Sequence, residues 1–414
     1  MRKVLLYLAS LMGLAFLASP CQAGFTLFDT ARDSMYVARG EFVALERTAG
    51  GDRLVFRCDT ALKGSISGEV TLEPFEKAPA DAALGRPAIV GFNLINGKYH
   101  FSYHQRRGVF MHEDGIDKCE TALRRLIEIN APFQPLIENE LRKRLEYQNL
   151  AHEGEYPAEL LSAWRQELVA QCSLSGSAAA RDAAKCLFEH PLFKGTATLG
   201  DLHKVAQAVV TSARSTHERA YMLLLIRDEV SVHPSYETLL GMLWEEAADY
   251  NVAHLASLLS SKPRAQVIQD MAAAINDAGR TSQQRENAVH VLGALRDEAG
   301  LPTIRGAVNA ERLKGAVNFD RKVMRRALLA LRDIPSAENA QTLEQLLDSD
   351  ICREKFEFLK RTLVAWSTMD TEASNNYLRG LYKLTQNNAL KQFVKGLLPE
   401  NKEWRRAVIV HPEE

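Results

Sequence analysis

No H-E-x-x-H, G-x-S-x-G, C-x-x-C or glycine-rich dinucleotide turn occurs in this 414-residue chain. Those absences remove the sequence grounds for a zincin, an α/β-hydrolase, a thioredoxin-type redox centre and a nicotinamide-dependent oxidoreductase. The nearest approach to a phosphate loop is Gly91 to Lys98. Its glycines stand one residue too far apart, and Tyr99 takes the place of the Ser/Thr that would hold magnesium. That segment reads as a hairpin. A charge excess is missing as well: 51 Lys and Arg face 52 Asp and Glu, for a net charge of −1. A general nucleic-acid binder needs a basic surplus to neutralise phosphates, so nucleic acid is not expected as a partner. Past the first twenty residues no apolar run nears eighteen, so stable membrane insertion is not expected.

What is present begins with an export signal. Arg2 and Lys3 precede the apolar run Val4 to Ala18. Ser19, Pro20 and small residues follow, with Ala23 at the minus-one position of a cut before Gly24. Residues 1–23 read as a secretory signal peptide; the rival is lipid anchoring through Cys21, which Pro20 suits poorly. Removing 23 residues leaves 391, enough for two or three domains. No N-x-S/T acceptor occurs, which leans toward bacterial export. The expected location is periplasmic or secreted.

An oxidising compartment favours disulfides. The mature chain keeps Cys58, Cys119, Cys172, Cys186 and Cys352. Cys172 and Cys186 flank a short Ser/Gly/Ala connection and form the favoured pair. Cys58, on a strand, could meet Cys119, which leaves Cys352 as a buried small apolar residue or an intermolecular bridge.

Patterning divides the chain near residue 116. From Ser34 to His112, short β-rich runs alternate with turn signals, and Asn96–Gly97–Lys98 is a strong hairpin signal. Five or six strands in so short a stretch predict a small barrel or sandwich. Within it, Gly40, Phe42, Phe56, Lys63 and Gly64 resemble, in order and type, the barrel of the netrin-like or tissue-inhibitor-like group. The resemblance implies an OB-like barrel over 24–116. It does not carry protease inhibition, because the cut before Gly24 leaves no cysteine at the new terminus.

From Asp117 onward, apolar residues recur at helical spacing. The stretch ALRD occupies Ala294–Asp297 and recurs 36 residues later at Ala330–Asp333. A fixed offset of that size marks a stacked-helix solenoid. Residues 283–370 resemble HEAT repeats. Ala288, Leu292, Leu295 and Asp297 fit the first helix and its turn, and Leu301–Pro302 fits the opening of the partner helix. Asp320, Val323, Arg325 and Ala327 fit the next unit. Asn309 to Phe319 is longer than the family's usual link, predicting an interruption. The Asp that ends each ALRD is expected to accept from the first amides of the following helix.

The expected class is therefore α+β multidomain: a small N-terminal β-barrel followed by a mostly α, helical-hairpin, HEAT-like solenoid. The divisions are 24–116 for the barrel, 117–214 for an irregular helical region, 215–398 for the solenoid and 399–414 for a C-terminal tail. The expected function is an exported, non-enzymatic scaffold that binds protein partners through the helical surface, without a cofactor. The alternative is an enzyme or protease-inhibitor module in the β domain, with a metal site as its candidate centre. His100, His104 and His112 are its candidate zinc ligands, three imidazoles being enough for an open catalytic-type site. Tyr99, Phe101 and Tyr103, followed by Arg106 and Arg107, could form an oligomer-binding strand but read better as barrel core beside a solvated turn. Arg296 and Arg332 are the candidate binding arginines of the helical part, against a reading as a solvated charge ladder.

Overall fold

A computed structural model describes residues 26–48, 51–75, 84–101, 109–111, 114–146 and 154–401. The expected signal peptide, the tail beyond 401, and Tyr103, His104, Arg106, Arg107 and His112 lie outside the described residues. Two units emerge, one of residues 1–213 with 217–225, the other of 214–216 with 226–414.

The first unit opens with a short helix, α1 (Leu27–Asp33), that the sequence reading left without an element. Strands β1 (Tyr36–Thr48), β2 (Gly51–Lys63), β3 (Gly68–Phe75), β4 (Pro87–Ile95), β5 (Lys98–Phe101) and β6 (Val109–Met111) follow. They pair in the order β1-β2-β3-β5-β4, and β1 also pairs with β4, so five strands close into a barrel with β6 added on β4. All pairings are antiparallel except β3 with β5.

Closure depends on β1 turning a corner. Gly40 faces Cys58 on one side and Ala88 on the other, and the β1–β2 register slips beside it. A Cβ at Gly40 would stand 1.9 Å from the Arg57 carbonyl oxygen, so only glycine permits that approach. Phe42, Phe56, Leu54, Leu72, Val90 and Phe92 fill the interior, and the Phe42 and Phe56 rings meet edge-on at 5.3 Å. Asn96 and Gly97 both take positive φ, as the two-residue turn requires.

Helices α2 (Ile116–Asn130), α3 (Gln134–Glu146), α4 (Ala158–Gln171), α5 (Ala178–Glu189), α6 (Leu199–Thr211) and α7 (His217–Ile226) follow. α1 packs between α2 and α5, and α2 also touches the barrel.

The second unit is a stack of helices. α8 (Tyr236–Glu245), α9 (Asp249–Leu259), α10 (Arg264–Asn276), α11 (Ser282–Leu295) and α12 (Leu301–Leu313) precede the short α13 (Gly315–Asn318). Then come α14 (Arg321–Asp333), α15 (Ala337–Leu347), the short α16 (Asp350–Glu354), α17 (Phe356–Ser367), α18 (Glu372–Leu384) and α19 (Asn388–Leu397). α9, α11, α14 and α17 pack side by side in one row; α10, α12 and α15 form a second. Leu292 and Leu328, which share a register in the ALRD repeat, are both buried, as are Leu295 and Leu331. Burying a leucine is worth about 1.5–3 kcal/mol, and in a stack each gains it only against its neighbours.

Neighbouring helices within the first row are tied by pairs about one repeat apart in the chain. Arg325 donates to Glu286 at 2.9 Å, Arg321 to Glu357 at 2.9 Å, and Thr368 Oγ1 to the Arg332 carbonyl at 3.1 Å. Leu301–Pro302 opens α12, where the missing proline N–H costs nothing. The expected interruption at Asn309 to Phe319 is corrected: α12 runs on to Leu313, and α13 supplies one further turn, so the extra residues lengthen the repeat as helix.

Candidate functional site

The α9–α11–α14–α17 row carries two neighbouring clefts, one on either side of α14. Thr281 and Gln284 form a capping box at the start of α11, and Asp320 accepts from the Lys322 and Val323 amides to start α14. α11 ends at Arg296, which adopts a left-handed φ of 50°. Between the two helices lies a groove of about 390 Å³ lined by His290, Gly293, Ala294, Arg296, Arg326 and Asp333, with Leu329 and Ala330. It dips because Gly293 and Ala330 present almost no side chain. Across α14 a narrower cleft is lined by Arg325, Arg332 and Arg361 with Leu328, Val364 and Ala365.

The two candidate arginines thus fall on opposite sides of one helix. They are not equivalent. Arg332 Nε donates to Asp333 at 2.8 Å, and Arg326 pairs with Asp249 at 2.7 Å. Arg296 is exposed, and its side chain has no hydrogen-bond or ion-pair partner among the described residues. The two ALRD aspartates differ as well. Asp297 accepts from the Ala299 amide at 2.9 Å, as expected of a cap, whereas Asp333 is spent on Arg332 and the next helix is capped by Ser336.

His290 gives the groove its second polar feature. Burial lowers its pKa to about 3, helped by Arg326 and opposed by Asp249, so the ring is neutral at ordinary pH. Among the described residues its Nδ1 is buried without a hydrogen-bond partner, and so is Arg326 Nε. Native interiors leave few such atoms unsatisfied.

The β domain gathers less. His100 is half-buried on β5, opposite Asn93. No group of three or more His, Cys, Asp or Glu able to hold a metal occurs among the described residues. Tyr99 packs edge-on against Tyr36 and Phe92, and Phe101 lies beside Phe42, which makes both part of the barrel core.

The disulfide expectation is corrected. Cys58, Cys119, Cys172, Cys186 and Cys352 are all free thiols. Cys172 closes α4 near Glu218, while Cys186 sits two turns into α5 beside Thr26 and Asp29, so the two thiols have different surroundings. The thiols have other partners: Cys186 with Thr26 Oγ1 at 3.2 Å, Cys119 with the Asp114 carbonyl at 3.4 Å and Cys58 with the Ile66 carbonyl at 3.7 Å.

Sequence reasoning missed a buried polar network around α1. Arg32, 3% exposed, donates to Asp33 at 2.7 and 2.8 Å and to Asp29 at 3.3 Å, and its guanidinium lies over the Phe28 ring. His190 Nε2 stands 3.5 Å from Asp29. The carbonyls of Ala31 and Asp33, left open at the helix end, are met by Lys63 Nζ at 2.9 Å, Asn130 Nδ2 at 3.1 Å and Asn93 Nδ2 at 3.0 Å. Asp182 accepts from the Leu27 amide, and burial raises its pKa to about 6. Cys186, His190 and Asp29 have the composition of a nucleophilic set, but burial pushes the thiol well above its usual value, the opposite of activation. The network fastens α1 to the barrel and to α2 and α5. Its one sequence signal was the T-x-x-D box at Thr26 and Asp29, whose two reciprocal bonds are both made.

The class defined here is a closed five-stranded barrel followed by a solenoid-like run of helices. Comparison with family models, curated proteins and solved structures found no match.

Proposed function

We propose that this protein is an exported, non-enzymatic scaffold that binds a protein partner along the outer face of the α9–α11–α14–α17 row. The observation that carries the reading is the row itself. Successive helices leave an elongated face whose grooves are edged by Arg296, Arg325, Arg326, Arg332 and Arg361. Stacked repeats characteristically use such extended faces for binding. The side-by-side row, the L-P opening of α12 and the carboxylate–arginine pairs between neighbours support a HEAT-like assignment for the stack. Barrel closure over five strands, with β3 and β5 parallel, supports an OB-like assignment for the N-terminal part. Export is supported by Arg2–Lys3, the apolar run Val4–Ala18 and the small residues ending at Ala23.

A photo-crosslinking amino acid placed in the full-length protein tests the reading. Positions Ala294 and Arg361 report on the proposed face, and exposed Glu344 on α15 is the control. Discrete adducts from the first two sites and none from Glu344 are expected in the exported fraction. Adducts from no site, or equally from all three, sink the scaffold reading. Stoichiometric zinc in the purified protein, lost on His100→Ala and His104→Ala, would favour the β-domain alternative instead.

A further inference from the structure

We propose that the groove between α11 and α14 takes an extended acidic peptide segment, with Arg296 holding a carboxylate and His290 Nδ1 accepting a backbone N–H. This rests on the scaffold reading above and specifies the chemistry of the partner.

The charge balance on the groove wall favours an anion. Arg326 is engaged by Asp249 at 2.7 Å, Asp333 by Arg332 at 2.8 Å, and the neighbouring Glu286 by Arg325 at 2.9 Å. Each of those charges already has a partner. Arg296 does not, so the groove carries one uncompensated cation at its edge. A guanidinium offers two parallel N–H groups, which match a carboxylate.

The orphan ring nitrogen of His290 points to the same occupant. A neutral imidazole carries one donor and one acceptor. With the proton on Nε2, Nδ1 is a buried acceptor without a partner among the described residues. His290 is half-buried and lines the groove, so a turn of its ring brings Nδ1 to the amide of a peptide laid there. Leu329, half-buried, and Ala330 give the adjoining chain an apolar strip. About 390 Å³ is room for a short peptide stretch. Nucleic acid fits less well. A phosphate tract needs a run of free cations, whereas here only Arg296 is uncommitted among the lining arginines.

The test is fluorescence anisotropy on the full-length protein with a labelled peptide of five alternating Glu-Ala pairs. The same peptide with Gln in place of Glu is the control. Saturable binding of the Glu-Ala peptide is expected, falling steeply as salt rises, with little binding of the Gln-Ala peptide. Arg296→Gln should weaken it at least tenfold. Ala294→Trp, which fills the groove from an exposed position, should abolish it. Melting curves check that both variants fold, and because they alter the site by unlike means, misfolding of one leaves the other decisive. No saturable binding by the parent protein overturns the proposal. So does equal binding of both peptides, or binding unchanged in the folded variants. Failure here with crosslinks still forming from Arg361 would leave a scaffold that uses another part of the face. Loss of all crosslinks would remove the scaffold itself.

Discussion

Gly293 lies so close to Ala330 that a Cβ built on the glycine would stand 2.8 Å from the Ala330 Cβ. The two belong to successive copies of the repeat, Gly293 just before the first ALRD and Ala330 opening the second. Their contact sets how near α11 and α14 approach.

Gly293→Ala should therefore destabilise the protein. Overpacking costs about 1–3 kcal/mol, while replacing a helical glycine by alanine returns up to about 1 kcal/mol. A net loss of roughly 1 kcal/mol is expected, read as a lower urea midpoint with unchanged slope. Pairing it with Ala330→Gly should recover most of the packing loss. If Gly293→Ala alone raises the midpoint, the close approach is not a constraint.

Glu311 organises the turn between α12 and α14. Its carboxylate is fully buried and accepts from Arg285 at 2.8 Å, Lys314 at 2.8 Å and the Asp320 amide at 2.7 Å. Burial alone would raise its pKa, but the bonds from Lys314, the Asp320 amide and Arg285 together hold it below the usual carboxylate value. The stability it contributes is present above the unfolded carboxylate pKa and lost as pH falls through the lower folded one. Glu311→Ala leaves Arg285 with Asp320 at 3.4 Å and the Ile275 carbonyl at 3.0 Å but deprives the Asp320 amide of its acceptor, and should cost about 1–3 kcal/mol. Glu311→Gln, which keeps the shape, should cost less and flatten the acid limb of the stability curve. An acid limb identical to that of the parent protein would count against this account.

How much of this could be read from the chain follows from which signals are local. The hairpin at Asn96–Gly97, the L-P opening at Leu301–Pro302 and the barrel-then-helix order came from short-range patterns. The repeat offset survived because leucines at 292 and 328 must each face a neighbour. Long-range facts did not show. Nothing near Arg32 announces that Asp29, Asp33 and His190 will close round it, since His190 lies far along the chain. Compartment logic also misleads: the expected redox environment pairs the cysteines, whereas the fold leaves all five as free thiols, each among its own neighbours. Arg296 and Arg332 looked alike in the repeat, and only the fold shows one engaged by Asp333 and the other left open.

The thiols give a direct check. Burial raises the pKa of Cys119 and Cys172 to about 12 and of Cys352 to about 11; nearby Asp182 adds to the effect at Cys119 and Glu218 at Cys172. Such thiols carry almost no thiolate at neutral pH and should alkylate slowly in the native state. Cys58, only half-buried, should label first. In denaturant without reductant all five should label, counted by mass. A peptide bridging Cys172 and Cys186, released only by reductant, would contradict the structure.

Acid should loosen the second unit through two histidines held neutral. Burial lowers His254 to about 4, with Arg227 adding to the effect, and His290 to about 3. An unfolded histidine titrates near 6.5, so below that pH the unfolded chain binds protons that the fold refuses. Stability should fall as pH drops from about 6.5 toward 4, by up to about 1.4 kcal/mol per pH unit for each histidine. Lowered carboxylates such as Glu311 add their own loss only lower, near the carboxylate range. Urea midpoints from pH 7 to 5 cover the histidine window; Asp182, raised to about 6, works in the opposite sense there but equally in parent and variant, so His290→Gln should make the slope shallower by about one proton. A variant whose midpoints run parallel to the parent across that window would show that His290 is free to protonate in the fold, and would remove the neutral acceptor from the groove wall.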